Sequence, residues 1–146
     1  MAVDVRTEVV ISKPIDVVSA YAAQPDNAPD WYVNIKSVEW QTPPVLEVGS
    51  RIAFVAHFLG RRLAYTYEVV AWEPGRRLVM RTADGPFPME TTYEWTPAGE
   101  SRTRMMLRNR GAPVGFSSVV APFMAFAMRR ANRKDLERLK ERLERE

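Results

Sequence analysis

Three tyrosines and one asparagine carry most of the uncharged chemistry in this chain: Tyr65, Tyr67, Tyr93 and Asn109. The tyrosines fall at alternating positions of strand-like segments, so they point the same way from adjacent or nearby strands. A buried phenol or amide must find a hydrogen-bond partner, and where the protein supplies none a bound molecule or water does. Tyr67, Tyr93 and Asn109 are therefore the candidates for orienting a carbonyl or phenol, with no catalytic residue assigned. The structural alternative is that these groups reach a rim or solvent.

The ionisable residues are less promising. His57 is the one histidine, and imidazole suits proton transfer near neutrality. Strand alternation sets it apart, because Ile52, Phe54, Ala56 and Phe58 share one face while His57 falls with Ala53 and Val55 on the other. One histidine and no cysteine leave only carboxylates as metal ligands, so no metal and no cofactor are expected. Asp26, Asp30, Glu39, Glu68, Glu90 and Glu94 fall in loops or at outward positions, and no inward ionisable group is expected. Arg108 and Arg110 flank Asn109, either as a solvated face or as a pocket-mouth cation for an anionic ligand. There is no Gly-x-Ser-x-Gly elbow, phosphate loop or dinucleotide fingerprint.

The elements that must position these residues are legible in order. Residues 3–11 alternate Val3, Val5, Thr7, Val9 and Ile11 with polar residues, a half-buried strand. Pro14 opens a short helix with Ile15, Val18 and Ala22 on one face and Ser12 or Lys13 at its cap. A broken stretch at 24–30 runs through a second short helix into Trp31. Strands follow at 35–41 and 51–59, and a tight link at Gly60-Arg61 or Arg61-Arg62 leads to the strand at 63–72. Pro74-Gly75 signals a type II turn, Leu78 to Thr82 is a short strand, and Asp84-Gly85 signals a hairpin. Phe87, Met89, Thr91, Tyr93 and Trp95 line one side of the next strand, and 103–109 forms the last. Links this short make the sheet antiparallel.

Residues 113–146 read as one long helix. Val114, Phe116, Val119, Val120, Phe123, Met124, Phe126, Ala127 and Met128 make its first half apolar on most sides. Leu136, Leu139 and Leu143 then narrow the apolar surface to a stripe. A helix of about thirty residues spans roughly 45 Å, the width of a small domain. Pro122 predicts a kink, with 113–121 as a hinged lid. A sheet with one apolar face buries such a helix by curling around it.

The 146 residues are expected to form one domain, 1–146, with no linker or repeat. The net charge of +3 is scattered, so no nucleic-acid surface is expected. No stretch approaches eighteen uninterrupted apolar residues and the N-terminus has no leader pattern, so the chain reads as cytoplasmic with no integral membrane segment.

The motifs in sequence order resemble those of the polyketide cyclase/dehydrase branch of the START-like (SRPBCC, Bet v 1-like) superfamily. The resemblance rests on Ile11-Ser12-Lys13-Pro14 with Val17-Val18, Trp31 after its Asp-Asn-Pro-rich bend, and Val48-Gly49-Ser50. It continues in Tyr67-Glu68-Val69 running into Trp72-Glu73-Pro74-Gly75-Arg76-Arg77-Leu78, in Tyr93-Glu94-Trp95 with Gly99 and Arg102-Thr103, and in Asp135-Leu136-Glu137-Arg138-Leu139-Lys140. It implies an α+β helix-grip fold: a curved antiparallel sheet of about seven strands around a long C-terminal helix, with two short helices after the first strand. It also implies an internal hydrophobic cavity. The residues expected to face it are Trp31, Phe54, Phe58, Tyr65, Tyr67, Phe87, Met89, Thr91, Tyr93, Met105, Leu107 and Asn109, with Phe116, Val120, Phe123, Met124, Ala127 and Met128 from the helix.

The function expected is binding of a small hydrophobic or aromatic molecule, lipid- or polyketide-like, by a monomer or homodimer. The first alternative is a polyketide cyclase or dehydratase using the same cavity through positioning. The second is a protein-binding stress or co-chaperone-like module that uses the outer face of the sheet.

Overall fold

The computed structural model describes residues 3–112 and 123–145. Seven strands form one sheet: β1 (Val3–Ile11), β2 (Ile35–Trp40), β3 (Arg51–Phe58), β4 (Arg61–Glu73), β5 (Arg77–Asp84), β6 (Met89–Pro97) and β7 (Thr103–Gly111). Their order across the sheet is β1-β7-β6-β5-β4-β3-β2, and every neighbouring pair is antiparallel. Helices α1 (Ile15–Ala23) and α2 (Ala28–Trp31), separated by a 3-10 turn at Pro25–Asn27, link β1 to the far edge strand β2. Helix α3 (Met124–Glu144) packs along β1 and against α2. This is the α+β helix-grip arrangement. Among the described residues no helix is long and apolar enough to cross a membrane.

Irregular pairing bends the sheet. Register shifts interrupt β2/β3 between Ile35 and Ser37, and β4/β5 between Thr66 and Tyr67 and again between Val69 and Ala71. Each such irregularity bends the strand that carries it and increases the local twist. The concave side so formed carries Ile52, Phe54, Tyr67, Val69, Tyr93, Trp95, Met105 and Leu107, all buried. At one end of this surface Leu136, Leu139 and Leu143 of α3 join Ile11, Val18 and Trp31 in a closed core. Burying a leucine contributes about 1.5–3 kcal/mol. These three therefore anchor α3 firmly to the sheet.

The local signals differ from expectation at several points. The first residue flanking α1 is Pro14, and neither Ser12 nor Lys13 caps the helix; no side-chain cap bond forms. The β3–β4 link is Leu59-Gly60, one residue earlier than predicted, with φ of 51° and 75°. Two positive φ values are what a tight hairpin of this hand requires, and Leu59 adopts one despite its side chain. Asp84-Gly85 does not close a two-residue hairpin. Pairing of β5 with β6 ends at Arg81–Glu90, and residues 85–88 form a longer link. Pro86 and Pro88 there lack the amide hydrogens a ladder needs. Pro74-Gly75 does form the expected turn: the Arg76 amide donates to the Glu73 carbonyl at 2.9 Å and Gly75 has φ 77°. Residues 113–122 of the predicted helix, with Phe116, Val120 and the Pro122 lid, lie outside the described residues. The described helix begins at Met124.

Candidate functional site

The leucine-anchored end of α3 is sealed, whereas under its N-terminal half a cavity of about 150 Å³ remains between helix and sheet. Strands β3 and β4 contribute Phe54, Phe58, Tyr65 and Tyr67 to its wall. Met89, Thr91 and Tyr93 come from β6, Asn109 from β7, and Phe87 from the link before β6. Met124 and Met128 close it from α3.

Other residues expected there lie elsewhere. Trp31, Met105 and Leu107 are fully buried but belong to the closed core, because they sit opposite the leucine end of α3. Ala127 is half-buried and off the cavity wall. Phe123 is 65% exposed and also off it. Phe116 and Val120 lie outside the described residues.

Two polar clusters face the cavity. On the strands, the Thr91 hydroxyl donates to Asn109 Oδ1. Its single hydrogen is thereby committed, so the Tyr67 hydroxyl, 2.8 Å from Thr91 Oγ1, is the donor in their bond. The result is a directed chain, Tyr67 to Thr91 to Asn109, that passes over β5 from β4 to β6 and on to the adjoining β7. Burial pushes the Tyr67 phenol up to about 12. Tyr67 is therefore a neutral donor across the physiological range.

The second cluster is carried by α3 and the residues that follow α2. Asp135 is 2% exposed, and its Oδ1 accepts the Val33 amide at 2.8 Å. Burial raises its carboxyl to about 7, against the opposing effects of the Val33 hydrogen bond and the Arg138 charge. One turn earlier, Asn132 is 5% exposed and its buried Nδ2 has no partner. Beside them, the Tyr32 and Tyr93 hydroxyls lie 2.7 Å apart. Burial raises both phenols above their usual range, and the mutual hydrogen bond raises Tyr32 while lowering Tyr93. Tyr65 is raised likewise by burial, then by the nearby Tyr67, Tyr93 and Asp135.

Asp135 overturns the expectation that no ionisable group faces inward. Asn132 and Asp135 were hidden among Arg129, Arg130, Arg133, Lys134, Glu137 and Arg138, so the segment reads as a charged face. The signal that finds them is spacing: Met128, Asn132, Asp135, Leu139 and Leu143 recur at four, three, four and four residues, one inward stripe of a helix.

The remaining charged groups stay outside. His57 is exposed on the outer face. Arg108 pairs with Asp4 at 2.6 Å, and Arg110 and Arg81 share Glu90 at 2.8 and 3.1 Å. These arginines are held by carboxylates on the outer face and are absent from the cavity wall, so neither Arg108 nor Arg110 is a cation at this cavity's mouth. Asp26 accepts from the Trp40 indole at 3.1 Å, and Asp30 lies 3.7 Å from Arg142.

A curved antiparallel sheet gripping a C-terminal helix over a polar-dotted apolar cavity defines a ligand-binding α+β architecture. The chain belongs to the family described as polyketide cyclase / dehydrase and lipid transport, which it matches over residues 2–144. Among solved structures it is similar to the protein TTHA0849 from Thermus thermophilus, at 22% identity, TM-score 0.81 and 95% coverage of both chains. It is also similar to the ZhuI aromatase/cyclase from a Streptomyces species, at 15% identity and TM-score 0.83, covering 99% of this chain and 95% of the other. A START superfamily protein from Mycobacterium smegmatis aligns at 15% identity and TM-score 0.79, covering 96% and 98%. At such identities the likeness shows the fold alone. Among curated proteins, none matches the chain.

Proposed function

We propose that this protein binds a small hydrophobic, aromatic molecule in the cavity between the sheet and α3. The carrying observation is a largely apolar space of about 150 Å³ bounded by aromatic and methionine side chains, with polar groups at fixed points. Ligand pockets have this composition. The size bears on the class of guest, because an apolar cavity of about 150 Å³ takes benzene. A ligand of one or two rings suits this shape, and a long acyl or polyketide chain would need α3 to move. Methionines at 89, 124 and 128 supply adaptable walls for such a guest.

The test is calorimetric titration with 2-naphthol, a neutral aromatic probe, in wild type and in Ala56→Phe, which fills the wall from β3. Saturable one-site binding weakened at least tenfold by the substitution is the expected result. No saturable binding by wild type overturns the reading.

A second reading, a cyclase or dehydratase, is favoured by Asp135. A buried carboxyl titrating near neutrality beside neutral phenols can give a proton to a leaving hydroxyl and take one from a carbon acid. Under that reading Asp135→Asn abolishes turnover of a cyclisable oligoketide while 2-naphthol binding persists. Loss of both together would point to a structural role.

A further inference from the structure

The cavity wall contains, among the described residues, no lysine, arginine or histidine, and Asp135 is its one carboxyl. Every other polar group there is a neutral amide, hydroxyl or phenol, and burial keeps the phenols protonated. An anionic guest would therefore find no counter-charge and would add a like charge beside Asp135. A cation meets the opposite conditions. The Val33 amide holds Oδ1, which leaves Oδ2 as the carboxyl's other acceptor. Tyr32, Tyr65 and Tyr93 line the same cavity as Asp135, and aromatic faces attract a cation.

Asn132 makes a separate demand. Its Nδ2 is enclosed and unpaired, one turn from Asp135 on the same face of α3. An unmet buried donor is costly and calls for an acceptor from the guest. Together the pair matches a positive donor group with an oxygen acceptor close by.

We infer that the natural ligand is a small aromatic amine bearing a hydroxyl or ether oxygen, its ammonium held by Asp135 and its oxygen by Asn132. This rests on the proposed ligand-binding role of the cavity and names the class of ligand within it. An ammonium bound to Asp135 favours the carboxylate, so binding displaces the carboxyl proton wherever that proton is still present. The titratable groups facing Asp135 are Tyr32 after α2, Tyr65 on β4, Tyr93 on β6 and Arg138 on α3 itself. The tyrosines, with raised values, stay neutral from pH 5 to 8, so Asp135 shapes the profile in that interval.

The experiment compares three probes that share a phenyl carbinol: 2-amino-1-phenylethanol, 1-phenyl-1-propanol and mandelate, titrated by calorimetry from pH 5 to 8. The amine is expected to bind at least tenfold more tightly than the neutral alcohol at pH 8, with mandelate weakest. Its affinity should fall about tenfold per pH unit well below pH 7 and level off above it. Asp135→Asn should bring the amine down to the level of the alcohol, and the wild-type pH profile decides the matter even if that variant fails to fold. Mandelate binding as tightly as the amine, or a flat amine profile, overturns the inference. If the alcohol binds and the amine binds no better, the inference falls while the cavity reading stands. If all three probes and 2-naphthol fail to bind, both fall.

Discussion

The two polar clusters of the cavity follow opposite rules. Tyr67, Thr91 and Asn109 form a closed chain on three strands in which each hydroxyl hydrogen has an acceptor. Asn132 and Asp135, on one face of α3, leave a donor unpaired and bury a carboxyl at the cost of a raised titration point. A satisfied network fixes the packing of a core, whereas an incompletely satisfied one stores cost that a guest can relieve. On the proposed ligand-binding reading, the strand cluster serves shape and the helix cluster recognition. It can be broken by measuring the sign of each cluster's effect on stability.

The largest effect should come from Asp135. Its carboxyl is raised from 3.8 to about 7 in the folded protein, so the native state holds the proton more tightly than the unfolded chain. The associated stability is fully present below about pH 4, is lost as pH rises toward 7, and changes no further above that. The loss is on the order of 4 kcal/mol. Asp135→Asn keeps an oxygen for the Val33 amide and removes the charge. It should raise stability above pH 7 by a few kcal/mol and change it little near pH 4, as read from urea unfolding at pH 4, 6 and 8. A variant less stable than wild type at pH 8 would show that the carboxylate is satisfied within the protein and would erase the contrast.

Thr91→Val should act in the opposite direction. It cuts the strand chain in the middle, leaving the Tyr67 hydroxyl without its acceptor and Asn109 Oδ1 without its donor. Orphaning buried polar groups in this way costs about 1–3 kcal/mol. The loss should be the same at pH 5 and pH 8, since none of the three side chains changes charge in that interval. A pH-dependent loss would tie the two clusters into one network.

Why one cluster was legible in the sequence and the other was not follows from their periods. In a strand, alternate residues share a face, so Tyr65 and Tyr67, then Thr91 and Tyr93, were placed inward without further information. On α3 the inward stripe is spaced by threes and fours, and its two polar members sit between residues that are nearly all charged. Composition there says solvent; only the leucines that continue the stripe say otherwise. The divide between closed core and cavity was hidden for a different reason. Met105, Leu107 and Asn109 share one face of β7, yet only Asn109 reaches the cavity, because the position of α3 across the sheet decides which inward residues it covers. Two turns departed from expectation for local reasons: Leu59 takes a positive φ that its side chain argues against, and two prolines after Asp84-Gly85 outweigh the hairpin signal.

The smallest effect concerns the pair that adjoins the helix cluster, Tyr32 and Tyr93. Their hydroxyls share one hydrogen bond at 2.7 Å, in which either can donate, so the pair uses one of its two hydrogens internally. Tyr32→Phe and Tyr93→Phe should each cost about 1 kcal/mol, because each leaves the other hydroxyl without that partner. The double variant removes both groups together and should cost less than the sum, a coupling of about 0.5–1.5 kcal/mol in a double-mutant cycle of urea unfolding. The cycle repeated with 2-amino-1-phenylethanol bound then sharpens the comparison. If the guest takes over as partner of the spare hydrogen, coupling between the tyrosines falls, whereas the corresponding cycle of Tyr67→Phe with Asn109→Leu is unchanged. Equal changes in both cycles would mean that the guest meets the strand cluster as directly as the helix cluster, and the division of labour between them would fail.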